Sequence, residues 1–118
     1  AAMNEKVLRA LDRINRVPGV RGAMLVSLED GLVVADSVMD GVKSGAVAAL
    51  AASLTNRLRK ASTAGAAGAP VFVHLQCEDG ALLAVPASRG LLVAAVGDAE
   101  VNIGLARLEM LRVAEATA

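Results

Sequence analysis

Two side chains with reactive chemistry, His74 and Cys77, stand three residues apart, which raises the question of a nucleophile and its base. Side chains three apart on a strand point to opposite faces, so a Cys–His dyad is not favoured. We interpret His74 as a polar strand residue, with a pH-sensitive contact as the alternative. Cys77 is predicted to be a small buried core residue. With one histidine and one cysteine, the sequence predicts no metal site of the His/Cys kind.

Two pairs of neighbouring carboxylates, Glu29-Asp30 and Glu78-Asp79, each precede a glycine. Paired carboxylates can act as general acid and base. However, aspartate is favoured in tight turns, where its carboxylate stays in water, and turn formation explains this repeated pattern better. The sequence also lacks a phosphate-binding G-x-x-x-x-G-K-[ST] loop, a G-x-G-x-x-G fingerprint, a G-x-S-x-G elbow and H-E-x-x-H. We therefore predict that the protein has no catalytic residue, binds no cofactor and is not an enzyme.

The composition restricts the partners and the location. Lys plus Arg and Asp plus Glu number 12 each, and this zero net charge argues against general binding to nucleic acid or to a membrane surface. One phenylalanine without tryptophan or tyrosine argues against base stacking. A lone cysteine allows no intrachain disulfide and suits a reducing compartment, so we expect a cytoplasmic protein.

The chain length of 118 residues predicts one domain, which we place at residues 4–116. Ala1 and Ala2 precede Met3 and are interpreted as a cloning remnant. Charged residues from Glu5 onward argue against a signal peptide. The longest stretch without charge, residues 61–77, contains Pro70 and two glycines, so no membrane insertion is expected.

Hydrophobic periodicity and turn residues predict three helices and five strands. The predicted helix caps are Asn4, Ser44 and Asp98. Helices are predicted at residues 4–16, 44–63 and from Asp98 to about 116, and strands at 22–29, 32–38, 71–77, 81–86 and 91–96. The resulting order is α-β-β-α-β-β-β-α.

Strand 22–29 has almost no polar side, and neither do the strands at 81–86 and 91–96. Strands that are apolar on both sides need cover on both faces, and their short connections require antiparallel neighbours. The sequence therefore predicts a three-layer α/β/α sandwich, of the α+β class, around a five-stranded antiparallel sheet. The first and last helices are expected side by side on one face, and the middle helix on the other.

The middle helix offers two faces. Its predicted core stripe is Val47, Leu50, Leu54, Leu58 and Ala61. A second face is small and flat, and it consists of Gly45, Ala49, Ala52, Ser53 and Asn56. This second face either reflects only the helix propensity of alanine or is a close contact between subunits.

The outer helices also carry patterned faces. The last helix is apolar on two sides, with Val101, Leu105, Leu108 and Leu111 on one and Ile103, Ala106, Met110 and Val113 on the other. Four basic residues share one side of the first helix, namely Lys6, Arg9, Arg13 and Arg16. That face is interpreted as solvated, with a docking surface for an acidic partner as the alternative.

Three stretches together resemble the roadblock family, which includes roadblock-type dynein light chains and bacterial and archaeal regulators of Ras-like GTPases. They are LDRINRVPGVRGAMLVSLEDGLVVADS, AALAASLTNRLRKAS and VFVHLQCEDGALLAVPASRGLLVAAVGDAEVNIGLARLEM. The resemblance covers residues 4–115 and rests on the order and spacing of these stretches rather than on one motif.

The resemblance implies a profilin-like roadblock domain that forms homodimers or paired heterodimers. The third strand would pair with its copy through Val71, Val73 and Leu75, and the middle helices would pack together, which favours the subunit-contact interpretation of the small-residue face. The paired helices would form a platform for a Ras-like small GTPase, with Arg57, Arg59 and Lys60 nearest that partner.

In this family pattern the regulator reshapes the GTPase and inserts no arginine finger, although a finger from one of these three residues is kept as an alternative. Other roadblock proteins or a signalling kinase are further partners that the resemblance implies. The competing hypothesis is a small-molecule-sensing or signalling scaffold module without a GTPase partner, which would require a pocket with convergent polar groups.

Overall fold

The computed structural model describes residues 2–118, with side chains from residue 5 onward, so the interpretation of Ala1 lies outside what it describes. The elements follow the predicted order. They are α1 (Ala2–Asn15), β1 (Val20–Ser27), β2 (Val33–Val38), α2 (Ser44–Ala64), β3 (Val73–Gln76), β4 (Gly80–Pro86), β5 (Leu91–Asp98) and α3 (Ile103–Ala116). Because α1 begins at Ala2, Asn4 lies within the helix and the predicted N-cap there is wrong.

The five strands form one antiparallel sheet in the order β2-β1-β5-β4-β3. β1 and β5 pair along most of their length, from Val20 opposite Gly97 to Ser27 opposite Leu91. The hairpins β1–β2 and β4–β3 extend the sheet on either side. The two edge strands are therefore β2 and β3.

Helices cover both faces of the sheet, which confirms the predicted sandwich. One core contains Leu11 and Ile14 of α1, Met110 of α3 and inward residues of β1, β4 and β5 such as Leu83 and Val93. The other lies under α2 and includes Met24 and Leu92. α1 and α3 lie side by side on the first face, as predicted.

The predicted core stripe of α2 is wrong at Leu50 and Ala61, whereas Val47 packs against the core under the helix. Leu50 is 71% exposed, and Ala61 is exposed as well. The helix instead buries Ala48, Ala51, Ala52 and Thr55. Short side chains let the helix lie close to the sheet, and the leucines are consequently turned to its flank and outer side.

The predicted caps at Ser44 and Asp98 are also wrong. Lys43 occupies the N-cap of α2 without a side-chain hydrogen bond, and the Ser44 hydroxyl donates to Asp36 of β2. α3 begins at Ile103 because Asn102 is its N-cap and its side-chain oxygen accepts from the Leu105 amide at 3.1 Å. Asp98 belongs to β5 and accepts from the Glu100 amide at 2.9 Å.

The predicted two-sided burial of α3 holds for one side only. Ala106, Met110 and Val113 are buried, whereas Leu105 and Leu108 are 38% and 47% exposed. Val101 is buried in the turn before the helix rather than on its face.

Candidate functional site

The outer edge of β3 carries backbone groups that no strand within residues 2–118 covers. The Cys77 amide donates to the Gly80 carbonyl at 2.8 Å, so Cys77 faces β4 at the start of the hairpin. The N–H and C=O groups of successive residues point alternately to the two sides of an antiparallel strand. The backbone groups of Leu75 and Val73 therefore face β4 as well. The N–H and C=O groups of His74 and Gln76 consequently point away from the sheet, ready to pair with another strand.

The two sheet edges differ in charge. β2 includes Asp36, a charged residue of the kind that protects an edge strand from pairing. Residues 71–76, in and before β3, include no Asp, Glu, Lys or Arg. β3 is therefore the edge that is open to pairing.

Apolar side chains continue from this edge across the α2 face of the sheet. Leu75 and Leu82 stand opposite each other on β3 and β4. Together with Leu50 and Leu54 of α2 they line a depression of about 380 Å³. Leu75 is 45% exposed and Leu50 is 71% exposed. We call Leu50, Leu54, Leu75 and Leu82 the α2–β3 patch.

The total accessible surface is larger than that of a typical compact monomer of this mass. The chain exposes 6600 Å². A compact monomer of its mass, 11.9 kDa, would expose about 5900 Å² by the usual scaling.

The structure separates the members of the predicted small-residue face. Ala52 lies on the side of α2 that packs against the sheet of its own chain, and it is buried there. Asn56 is half-buried, and its Nδ2 donates to the Leu28 carbonyl at 3.2 Å. Gly45, Ala49 and Ser53 are exposed, although Ala49 lies against the turn at Gly31. Their role in a dimer interface stays a prediction.

Replacing Asn56 tests whether this residue serves its own subunit. Asn56→Ala leaves the Leu28 carbonyl without this donor, and we expect a loss of about 1 kcal/mol in the free energy of unfolding. Ser53→Ala, one turn away on an exposed site, should change it by less than about 0.5 kcal/mol. Urea denaturation at a protein concentration low enough to keep the chain monomeric measures both, so that a subunit contact of Ser53 does not contribute. Equal effects of the two substitutions would contradict the intramolecular role.

The β3 residues predicted for the dimer interface lie on or beside the open edge. Val71 precedes the strand and is 74% exposed. Val73 is half-buried against the core under α2. Phe72 points to the opposite face, where Arg107 of α3 lies 5.3 Å from its ring centre. Phe72 and Val73 therefore point to opposite faces of the sheet, and β3 itself begins at Val73 rather than at the predicted Val71.

The three predicted docking residues, Arg57, Arg59 and Lys60, are exposed in the second half of α2. The sequence of α2 contains no Asp or Glu, so these charges are not balanced within the helix. Arg57 also borders the depression at the α2–β3 patch. The helix therefore presents positive charge next to an apolar surface.

The reactive side chains do not form a chemical site. Cys77 is exposed, so the prediction of a buried core residue is wrong; β3 ends at Gln76 and leaves Cys77 at the turn. His74 is exposed and its Nε2 lies 3.0 Å from Gln76 Oε1. Within residues 2–118 no group of three or more His, Cys, Asp or Glu is arranged to hold a metal ion.

The E-D-G turn at residues 29–31 is a turn in the structure. The Asp30 carboxylate accepts from the Leu32 amide at 3.1 Å, and Gly31 has a φ of 71°. This left-handed conformation favours glycine, which explains the residue type. Glu78 and Asp79 are exposed in the β3–β4 turn.

A groove of about 660 Å³ lies between the end of α2 and the start of β3. Leu58, Val71 and Phe72 are among its lining residues, and His74 is its titratable side chain. The groove opens onto the same sheet edge as the α2–β3 patch.

In the part of the chain that the structure describes, no helix combines the length and apolar composition needed to cross a membrane.

A helix-covered antiparallel sheet with this element order defines a profilin-like fold. The structure of profilin IA from Acanthamoeba castellanii is similar, with a TM-score of 0.59, 20% identity and coverage of 97% of this chain and 94% of that one. The family model described as Roadblock/LC7 domain matches residues 6–96. The chain belongs to the roadblock family.

One relative and two solved structures are similar to this chain in sequence or in fold. An uncharacterized protein of Methanocaldococcus jannaschii is 34% identical over 107 residues, covering 91% of this chain and 92% of that protein. A Roadblock/LC7 domain from Streptomyces avermitilis has a TM-score of 0.81 at 26% identity, covering 90% of this chain and 88% of that one. The gliding protein MglB from Thermus thermophilus has a TM-score of 0.85 at 22% identity, covering 98% of this chain and 88% of that one.

Proposed function

We propose that this protein is a non-catalytic homodimeric adaptor that regulates a Ras-like small GTPase in the cytoplasm. The observation that carries the proposal is the open, uncharged edge of β3 beside the exposed α2–β3 patch. Membership of the roadblock family supports it. Residues 4–116 would act as one domain, and a second roadblock protein could replace the second copy.

The proposed dimer pairs β3 with its copy in antiparallel orientation. The outward amides and carbonyls of His74 and Gln76 would then bond across the two-fold axis and continue the sheet into the second subunit. The α2–β3 patch flanks this edge, so pairing would also bury apolar surface. Val71, Val73 and Leu75 would lie at or beside the junction, together with the exposed small residues Gly45, Ala49 and Ser53.

The proposed GTPase surface is the pair of α2 helices. Arg57, Arg59 and Lys60 of each subunit would attract an acidic surface of the partner and orient it. Regulation would follow from tighter binding to the hydrolysis-competent conformation of the GTPase, which raises the population of that conformation. The adaptor itself would contribute binding and no reacting group.

The test is GTP hydrolysis by purified Ras-like GTPases of the source organism, with and without the protein. We expect faster hydrolysis with the wild-type dimer. Arg57→Ala should raise the concentration needed for half of the effect while leaving the maximal rate within a few-fold. A loss of roughly a thousand-fold in maximal rate would instead identify Arg57 as an arginine finger. Failure of every such GTPase to bind the dimer would refute the proposal.

The groove beside α2 favours a ligand-sensing module as the second candidate, because its volume of about 660 Å³ falls in the usual range of ligand sites. A metabolite screen by thermal melting separates the two candidates. A ligand that raises the melting temperature at fixed protein concentration would favour the sensor. Melting that depends on protein concentration and on no metabolite would favour the adaptor.

A further inference from the structure

The outer surface of the α1–α3 layer lies on the opposite side of the sheet from α2 and combines basic and apolar side chains. Arg16 and Arg13 border a small depression together with Leu105 and Glu109. Arg13 Nε also lies 4.0 Å from Glu109 Oε2. Because Arg16 is near Leu105 and Arg13 is near Glu109, the two helices run antiparallel.

The centre of this layer is positively charged. Lys6, Arg9, Arg13 and Arg16 are exposed along α1. Glu109, the acidic residue facing them from α3, is mostly buried and already contacts Arg13 and Arg112, the latter at 3.0 Å. Asp12 accepts from the Ser37 hydroxyl at 2.9 Å, toward β2. Because the helices are antiparallel, Glu5 near the start of α1 and Glu115 near the end of α3 lie toward the same end of the layer, away from its centre.

Exposed leucines accompany these charges. Leu105 is 38% exposed and Leu108 is 47% exposed, one turn apart on the outer and α1-facing side of α3. Arg112 continues the same side one turn further along. We call Lys6, Arg9, Arg13, Arg16, Leu105, Leu108 and Arg112 the basic face.

We propose that the basic face docks an acidic amphipathic helix of a partner protein. The apolar stripe of such a helix would cover Leu105 and Leu108, and carboxylates on its borders would pair with Arg9, Arg16 and Arg112. Charge complementarity selects this occupant. Nucleic acid fits poorly, because two leucines rather than aromatic residues lie among the charges.

This docking does not depend on the proposed GTPase function. The sheet separates the basic face from α2 and from the α2–β3 patch. The protein would therefore hold one partner on each side at the same time and act as a bridge between them.

The first test uses two synthetic peptides of about 18 residues, long enough for several helical turns. Both have leucines at helical spacing, with either glutamate or lysine at the bordering positions. Fluorescence anisotropy measures their binding to the 118-residue protein. We expect the glutamate peptide to bind at least about ten-fold more tightly than the lysine peptide and to weaken as salt increases. Equal binding of the two peptides would overturn the proposal, as would binding of phosphatidylglycerol vesicles in preference to the glutamate peptide.

Charge-reversal variants locate the binding surface. Arg9→Glu combined with Arg16→Glu should weaken the binding of the glutamate peptide at least about ten-fold. Lys43→Glu combined with Arg89→Glu makes the same change in net charge at exposed positions elsewhere. This control should weaken the binding of the glutamate peptide less than about three-fold. Leu108→Asn should also weaken the peptide, because binding requires the apolar contact. Equal effects of the two charge-reversal pairs would overturn the proposal by showing only general attraction.

Discussion

Leu50→Glu is expected to convert the proposed dimer into a folded monomer. Leu50 is 71% exposed in the single chain, so a glutamate there should cost the monomer little stability. In a dimer, the same carboxylate would lose its water within the α2–β3 patch, and Arg57 at the border of the patch would compensate only part of that cost. We expect the dissociation constant to rise at least about 100-fold, in line with several kcal/mol for a buried charge that is only partly compensated.

Light scattering after size-exclusion chromatography measures this effect, and circular dichroism verifies the fold. Met39→Glu is the matched control, because Met39 is 59% exposed on the side of the other edge strand, β2. The control should remain dimeric. A Leu50→Glu protein that stays dimeric at micromolar concentration would contradict the proposed interface.

Gly19→Ala is expected to be the most destabilising single methyl addition that we describe. Gly19 has a φ of 91°, and its carbonyl accepts from the Asp98 amide at 2.8 Å. A β-carbon would lie 2.5 Å from Val101 Cα and 2.9 Å from Val101 N. These are backbone atoms that cannot rotate away, so we expect a loss of more than about 3 kcal/mol in the free energy of unfolding.

Gly41→Ala provides the matched control for backbone conformation. Gly41 has the same φ of 91°, but no atom lies within 4 Å of the β-carbon position. Its substitution should therefore cost only the left-handed conformational penalty, about 1 to 2 kcal/mol. Urea denaturation in the Leu50→Glu background removes any contribution from dimerisation. Equal losses at the two glycines would mean that the close approach of Gly19 to Val101 is wrong.

The sequence predicted the layers of the fold better than the details of its helices. Strands without a polar side require helices on both faces of the sheet. This argument depends only on the pattern of apolar residues within each strand. The buried side of α2 could not be chosen in the same way, because Leu50 and Ala48 both fit a helical period. The choice depends on how closely the helix approaches the sheet, and small residues such as Ala51 and Ala52 allow the closer approach.

Local competition explains the errors at the ends of elements. Asp98 and Asn102 are both good cap residues. Asp98 instead extends β5, because it pairs with Gly80 across the sheet and its amide donates to the Gly19 carbonyl. The start of α3 is therefore set by tertiary contacts that the sequence does not reveal. The exposure of Cys77 has a similar origin, since the hairpin turn follows Gln76.

The candidate surface was predictable only in part. Alternation placed Val73 and Leu75 on one side of β3, and the structure agrees that Leu75 lines the patch with α2. The predicted core stripe of α2 assigned Leu50 to the interior, so the sequence did not indicate its place on the exposed patch. An apolar residue that faces a second subunit has the same sequence signature as one that faces its own core.

Amide hydrogen exchange at the two sheet edges tests the proposed pairing of β3 most directly. The amides of His74 and Gln76 point outward from β3, and those of Asp36 and Val38 point outward from β2, since Met39 donates to β1. We expect protection of His74 and Gln76 at high protein concentration, its loss in Leu50→Glu, and rapid exchange of Asp36 and Val38 throughout. Equally rapid exchange of all four amides in the wild-type protein would contradict a dimer built through β3.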